Sequence, residues 1–251
     1  MKKHKIRLIP VLTFNGISLV KTKQFGSPRT VGNPVQSARV FNMRSADELI
    51  FLDITASRQE RKINLKLVKE VLNECFMPVG VGGGINTLED INDLLRIGAD
   101  KVVLKTAALL NPAFVKQAAK EFGSQCICIA VDVINLEGQW KIHNLLGIDK
   151  GLEDFIKEME DLGAGEFFIT SVAHEGMMAG FNFDLARKVN GMSRLPIIFN
   201  GGAKDPESFA ELLGECYFEG IAASSIFSFT QFTNLDVISI LAQKEFPVRE
   251  L

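Results

Sequence analysis

Two short glycine segments, each followed along the chain by a small hydroxyl residue, are the part of this sequence best suited to chemistry. Gly83-Gly84 recurs as Gly201-Gly202, and Thr106 recurs as Ser224, in both cases 118 residues later. Glycine has no Cβ atom, so the backbone N–H groups of such turns can approach phosphate oxygens closely. A hydroxyl residue at a helix start adds a donor where the helix dipole favours an anion. The pattern therefore predicts two phosphate sites.

One glycine pair alone would be weak evidence, because tight turns between a strand and a helix also need glycine. Two pairs at matching places, each with its hydroxyl residue, favour a ligand. Two sites on opposite sides of one opening would hold a small molecule with a phosphate at each end. The predicted phosphate contacts are Gly83, Gly84, Thr106, Ala107, Gly201, Gly202, Ser224 and Ser225.

Eight short apolar runs, separated by amphipathic stretches, provide the elements that must position these residues. The runs cover residues 7–12, 48–54, 78–82, 101–105, 126–132, 166–172, 196–200 and 220–224. They are almost continuously hydrophobic, as strands buried on both faces must be. Eight strand-then-helix units without a break in composition predict an α/β fold, a single (β/α)8 TIM barrel over residues 1–251. The repeat divides it into two half-barrels, which a doubly wound sheet, the alternative, would not naturally give.

The helix ends carry recognisable signals. Thr87 is the expected N-cap of a helix with apolar residues at helical spacing, and Asp205 is the expected cap of a helix that begins at Pro206. Gly98 and Gly163 suit the positions just after helix ends. In a barrel of this kind the active site lies at the carboxyl ends of the strands, where the glycine segments fall.

Composition excludes several functional classes. With 28 basic and 30 acidic residues the net charge is −2, which does not suggest a nucleic-acid partner. No apolar run is long enough for a membrane span, and the basic start, residues 1–5, lacks the apolar stretch of a signal peptide. Cys126 and Cys128 fall on one face of a predicted strand without metal-type spacing, which favours buried thiols in a reducing cytoplasm. We expect no metal and no cofactor.

Seven stretches along nearly the whole chain resemble the cyclase subunit of imidazole glycerol phosphate synthase, the HisF family. They are residues 7–10, 47–56, 81–85, 98–102, 122–126, 163–166 and 246–249. The resemblance implies a HisH-like glutaminase partner at the amino-terminal face of the barrel, from which ammonia passes along the barrel axis to a phosphorylated substrate.

The resemblance also implies a ring of charges that gates this passage. Its positions match Arg7, Glu48, Lys101 and Glu166, each at the first position of a predicted strand. From the residues alone, two cations and two anions at strand starts could pair around the axis. They could equally face solvent, where ion pairs are common and contribute little.

Two catalytic carboxylates are implied by the resemblance, but only one is present. The position at the end of the fifth strand holds Asp132, whereas the position at the end of the first holds Thr13. A threonine hydroxyl does not titrate near neutrality and cannot replace a carboxylate in proton transfer. The expected substrate-contacting residues are Lys21, Asp53, Lys105, Ser171 and Glu175. Lys105 stands where the resemblance implies an asparagine, and Lys21 either closes over the ligand or is a solvated loop cation. His174 could act as an acid or base, or be an exposed loop residue.

Residues 19–34 and 74–78 resemble one branch of the family, the HisF-like acetamidino-modification proteins. In that branch the aspartate of the first strand is typically absent. The resemblance implies that the barrel supplies ammonia to a sugar-amidating ligase, so that an acetamido group of a surface-polysaccharide sugar becomes an acetamidino group. The alternatives are a true cyclase of histidine synthesis and a non-catalytic phosphate-binding scaffold that activates the glutaminase.

Overall fold

The computed structural model describes residues 5–250, and the predicted basic leader therefore lies, apart from Lys5, outside the described residues. The strands are β1 (Arg7–Phe14), β2 (Leu19–Lys21), β3 (Arg29–Gly32), β4 (Leu49–Asp53), β5 (Val79–Gly82), β6 (Lys101–Leu104), β7 (Ile127–Leu136), β8 (Gln139–Ile142), β9 (Glu166–Ser171), β10 (Ile197–Asn200) and β11 (Gly220–Ala223). The helices are α1 (Pro34–Met43), α2 (Leu65–Leu72), α3 (Leu88–Arg96), α4 (Thr106–Leu110), α5 (Pro112–Phe122), α6 (Leu152–Asp161), α7 (Phe183–Val189), α8 (Pro206–Glu215), α9 (Ser225–Phe229) and α10 (Asn234–Gln243).

Eight parallel strands close into a barrel in the order β1, β4, β5, β6, β7, β9, β10 and β11. Closure occurs where β1 pairs in parallel with β11, with Arg7 opposite Gly220 and Pro10 opposite Ala223. Helices follow the strands along the chain, so the predicted (β/α)8 TIM barrel is confirmed. Within residues 5–250, no helix has the length and apolar character needed to cross a membrane.

The barrel has two antiparallel additions that the sequence pattern did not reveal. The first is the pair β2–β3, which follows β1 and joins its end through Phe14 and Leu19. The second is β8, which folds back on the outer half of β7 with Val133 opposite Ile142. Both rise from the carboxyl ends of barrel strands and therefore form walls around the mouth of the barrel.

The predicted helix boundaries agree with the structure. Thr87 caps α3 in a reciprocal capping box with Asp90, and Asp205 caps α8 in the same way with Ser208. Gly98 follows α3 with φ of +110°, a backbone conformation that favours glycine and ends the helix.

Apolar side chains fill two layers, one between the strands and the helices and one inside the barrel. The inner layer consists of Ile9, Val11, Ile50, Val103, Cys128, Ala130, Phe168, Ile198 and Ala222, with Leu52 packed against it. Cys128 is buried there as expected. The expectation for Cys126 is wrong, because this residue lies in a short 3-10 turn before β7 and is partly exposed.

Candidate active site

A cavity of about 700 Å³ opens at the carboxyl ends of the barrel strands. Both glycine turns line it, one after β5 and the other after β10, together with Thr106, Ser224 and Ser225. In the closed ring β5 and β10 are four strands apart, so the two turns face each other across one opening. The side chain of Ala107 is buried in the first turn of α4.

Both turns require glycine for their backbone shape. The φ angles of Gly84 and Gly202 are +67° and +110°, which disfavour residues with side chains. A Cβ atom on Gly84 would lie 2.4 Å from the carbonyl oxygen of Arg61, and one on Gly202 would lie 2.2 Å from that of Gly180. Backbone therefore packs directly against backbone behind each turn, which fixes the position of the turn at the cavity rim.

Thr13, at the end of β1, is bound into a hydrogen-bond cluster on one side of the mouth. Its hydroxyl donates to the carbonyl oxygen of Val20. The ammonium group of Lys21 lies 3.5 Å from the Thr13 hydroxyl and 2.8 Å from the carbonyl oxygen of Val11, and it also donates to the hydroxyl of Ser224. Lys21 thus lies directly against Thr13 at the mouth of the barrel.

The environment of Lys21 is unusual for a lysine, since only 4% of the residue is exposed. Within residues 5–250 its hydrogen-bond partners are the carbonyl and hydroxyl oxygens just named, not carboxylates. Burial lowers the pKa of Lys21 to about 7, although the charge of Glu175 acts in the opposite direction. Near neutral pH this amine can therefore either hold or release a proton.

Asp132 lies on the opposite side of the mouth and forms an ion pair with Lys105. The Lys105 nitrogen is also 5.8 Å from the ring centre of Phe25, a residue of the loop between β2 and β3. His143 completes this wall, since its ring centre lies 5.8 Å from that of Phe25 and its backbone N–H donates to the Asp132 carbonyl oxygen over 2.7 Å. Burial and the charge of Lys105 lower the pKa of His143.

Glu175 holds the loop between β2 and β3 in place over the cavity. Its carboxylate accepts hydrogen bonds from the Thr22 hydroxyl at 2.9 Å and from the Phe25 N–H at 3.3 Å. Burial raises the pKa of Glu175. The residue lines the cavity, as a substrate contact would, and its Oε2 atom accepts both hydrogen bonds from the loop.

Two further predicted substrate contacts have partners within the protein. Asp53 is bound by the guanidinium group of Arg61 at 2.7 and 2.8 Å, which holds the segment after β4 against the cavity wall. The Ser171 hydroxyl accepts from the Asn182 amide at 3.0 Å and lies 3.2 Å from Nδ1 of His174. Burial lowers the pKa of His174.

At the opposite end of the barrel, Arg7, Glu48, Lys101 and Glu166 form a closed ring of ion pairs. Arg7 binds Glu48 at 2.5 Å and also binds Glu166, while Lys101 binds Glu48 at 2.9 Å and Glu166 at 2.7 Å. Burial lowers the pKa of Lys101, but the charges of Glu48 and Glu166 outweigh this and raise that pKa overall. The four residues thus pair with one another, and the apolar inner layer separates them from the cavity.

Comparison with known proteins identifies the family of this chain. A family model described as "Histidine biosynthesis protein" matches residues 7–233. The chain belongs to this family. It is similar to the imidazole glycerol phosphate synthase subunit HisF of Staphylococcus saprophyticus subsp. saprophyticus, with 38% identity over 251 residues, which covers 98% of this chain and 99% of that protein.

Phe25 and His143 line the cavity, although sequence reasoning assigned neither of them to it. Phe25 falls within the stretch 19–34, and its spacing gives no sign that it reaches Lys105. His143 follows the added strand β8, so only knowledge of the β7–β8 pairing would have placed it at the cavity.

Proposed function

We propose that the chain is a HisF-like synthase subunit that receives ammonia from a HisH-like glutaminase and passes it along the barrel axis to a phosphorylated ligand. The observation that carries this proposal is the closed ring of Arg7, Glu48, Lys101 and Glu166 at one end of the axis, with the cavity at the other. Between them the wall is apolar, which suits a neutral molecule better than an ion.

The ring is the point at which ammonia would enter. Charged side chains that are paired with one another can separate to let a small neutral molecule pass and then pair again. Removal of one member instead leaves a buried charge without its partner. The glutaminase would dock on the amino-terminal face around this ring, and the phosphate groups of the ligand would bind the two glycine turns.

We further propose that the pathway is acetamidino modification of a surface-polysaccharide sugar, with a sugar-amidating ligase as a further partner. What supports this is the pair of departures at the mouth, where Thr13 contacts Lys21 and Asp132 is paired with Lys105. A cyclisation that needs a general acid and a general base would lose roughly two to four decades of rate without one of them.

The second candidate is a true cyclase subunit in histidine synthesis. The similarity to the HisF subunit favours it, as does the retained Asp132 between two glycine turns. An assay of the purified protein with ammonia and the ribulosyl phosphate intermediate separates the two candidates. The amidation proposal predicts turnover at least a hundred times slower than that of a HisF cyclase, and comparable turnover would contradict it.

Glu48→Ala and Lys101→Ala test the ammonia route. In a complex with the glutaminase, we expect either change to uncouple glutamine hydrolysis from incorporation of nitrogen, so that free ammonia accumulates. Glu211→Ala is the matched control, because Glu211 is an exposed glutamate in the middle of α8, outside the ring. Unchanged coupling would count against a charged gate.

A third outcome would favour the scaffold alternative. If the chain stimulates glutamine hydrolysis but nitrogen reaches no acceptor even in the wild-type complex with ligase and sugar present, the barrel acts by binding phosphate and activating its partner. This result would contradict the synthase proposal while leaving the phosphate sites in place.

A further inference from the structure

Arg58 is a cationic residue at the mouth of the barrel to which the proposed function gives no role. It lines the cavity together with Ser57 and the glycine turn after β5. The other lysine or arginine that lines the cavity in the described chain is Lys105, and its ammonium group is paired with Asp132. The side chain of Arg58, by contrast, has no ion pair and no hydrogen bond within residues 5–250. Its charge is therefore available to a ligand.

The segment that carries Arg58 is tied directly to the glycine turn after β5. The hydroxyl of Ser57 accepts a hydrogen bond from the Gly84 N–H at 3.3 Å. The carbonyl oxygen of Arg61 lies so close behind the turn that a Cβ atom on Gly84 would come within 2.4 Å of it. The Arg61 N–H in turn donates to the Ala56 carbonyl oxygen at 3.0 Å, which closes the segment into a compact turn. The backbone therefore sets the position of Arg58 relative to the phosphate site.

The carboxylate that belongs to the same wall does not compete for Arg58. Asp53 ends β4 and lines the cavity, but Arg61 binds its two oxygen atoms at 2.7 and 2.8 Å. A guanidinium group without a carboxylate in contact keeps five N–H donors in a planar fork, which fits the oxygens of a phosphate group in pairs. Of these two arginines, Arg61 thus holds the wall in place, whereas Arg58 has its donors free.

The glycine turn after β10 has no such cation beside it in the described part of the chain. The basic side chain on that side is Lys21, which is 4% exposed and donates to the carbonyl oxygen of Val11 and to the hydroxyl of Ser224. Lys21 does not line the cavity. The two ends of the cavity thus match in their backbone turns but differ in accessible positive charge, and the additional charge lies at the turn after β5.

We propose that Arg58 and the glycine turn after β5 together bind a diphosphate, so that the ligand carries a diphosphate at this end and a single phosphate at the other. This inference rests on the proposed function, which places a phosphorylated ligand between the two turns. The turn binds one phosphate group through backbone N–H groups, and the guanidinium fork of Arg58 binds the adjacent phosphate through charge-assisted hydrogen bonds.

The same arginine gives the ligand its orientation. A ligand bound the other way round would place its diphosphate at the turn after β10, where no accessible cation meets the second phosphate group. The difference in binding free energy between the two orientations therefore depends on Arg58.

Site-resolved titrations of the ¹⁵N-labelled chain with inorganic phosphate and with pyrophosphate test this inference. The amide signals of Gly83 and Gly201 report separately on the two turns. At Gly83 we expect the wild-type chain to bind pyrophosphate about tenfold more tightly than phosphate, and Arg58→Gln to reduce this preference to about twofold. At Gly201, Arg58→Gln should leave the affinity for both anions unchanged.

Arg96→Gln is the matched control, because Arg96 is an exposed arginine at the end of α3 and its removal changes the net charge by the same amount. The preference for pyrophosphate at Gly83 should persist in this variant. Arg58→Lys keeps the charge but not the planar fork, so it should restore part of the preference that Arg58→Gln loses.

The possible outcomes separate this inference from the function on which it rests. A preference for pyrophosphate at Gly83 that persists in Arg58→Gln would overturn the inference and leave the phosphate sites standing. Equal weakening of both anions would also overturn it, because Arg58 would then share a single phosphate group with the turn. If neither anion shifts the signals of either turn in the wild-type chain, the phosphorylated ligand of the proposed function fails together with the inference.

Discussion

The two halves of the barrel reach the cavity with matching turns but with different charged groups. In one half, the strand-end residue Thr13 is neutral and Lys21 lies against it, buried and without a carboxylate among its hydrogen-bond partners in the described chain. In the other half the strand-end residue is Asp132, and Lys105 pairs with it directly. Each half thus brings one lysine to the mouth, but only one of these lysines has a counter-ion in contact.

This difference shows which features the fold holds constant and which it allows to vary. The glycine turns are locked by backbone packed against backbone, so a change there moves the chain itself. The charged groups at the strand ends are side chains, and they can be substituted without altering the backbone of the barrel. A lone buried lysine and an ion pair respond differently to pH and to substitution, which makes the contrast measurable.

The largest effect is expected from Lys21→Met and its dependence on pH. The pKa of Lys21 is about 7 in the folded chain and 10.5 for a free lysine side chain, so the unfolded chain binds more protons between these values. Wild-type stability therefore rises with pH over this window relative to a variant without the amine. Between pH 6 and pH 10, the stability advantage of Lys21→Met should shrink by about 4 kcal/mol, as measured by urea unfolding.

Lys23→Met is the control for this experiment, because Lys23 lies two residues after Lys21, in the loop that follows β2, and is exposed. Its effect on stability should be small at every pH. A Lys21→Met profile parallel to that of wild type would show that Lys21 is not buried as a strained cation.

The next effect concerns the turns that the two halves share. Gly84→Ala and Gly202→Ala each place a methyl group against a carbonyl oxygen at a positive φ, so each should lower the free energy of unfolding by about 1–3 kcal/mol or more. Gly191→Ala separates the two causes, since Gly191 has φ of +77° but open space around it. Thermal unfolding should rank both turn variants below this control, and equal losses in all three would refute the close packing.

Asp132→Asn should have a smaller effect, because Lys105 then remains at the mouth without a counter-ion. The side chain of Lys105 is partly exposed, so water compensates in part, and we expect a loss of about 1–2 kcal/mol. The double variant Asp132→Asn with Lys105→Met should recover most of it. A double variant less stable than Asp132→Asn alone would mean that Lys105 stabilises the fold by other contacts.

The last variant makes the two halves alike. Thr13→Asp would give Lys21 a carboxylate at the distance of the present hydroxyl and so raise the pKa of Lys21. We expect the pH-dependent difference of the first experiment to fall by at least half in this background. An undiminished difference would show that Lys21 does not face residue 13.

The barrel could be predicted from the sequence because its eight strands are buried on both faces and therefore appear as continuous apolar runs. The additions β2–β3 and β8 were missed because they are only three or four residues long, and because β3 and β8 are partly exposed. Because the prediction lacked these three strands, it also missed the cavity residues that the strands position. The burial of Lys21 and the position of His143 both depend on these added strands, and no local sequence pattern marks the lysine at the end of β2 as buried.

The most direct test of the account is whether one ligand holds both glycine turns. A titration of the ¹⁵N-labelled chain with a sugar 1,6-bisphosphate, followed by the amide signals of Gly83, Gly84, Gly201 and Gly202, measures this. We predict that all four signals shift along one binding curve with a single Kd and a stoichiometry of one ligand per chain. Shifts at only one turn, or at neither turn when the ligand is in large excess, would contradict the claim that the two halves face a common anion.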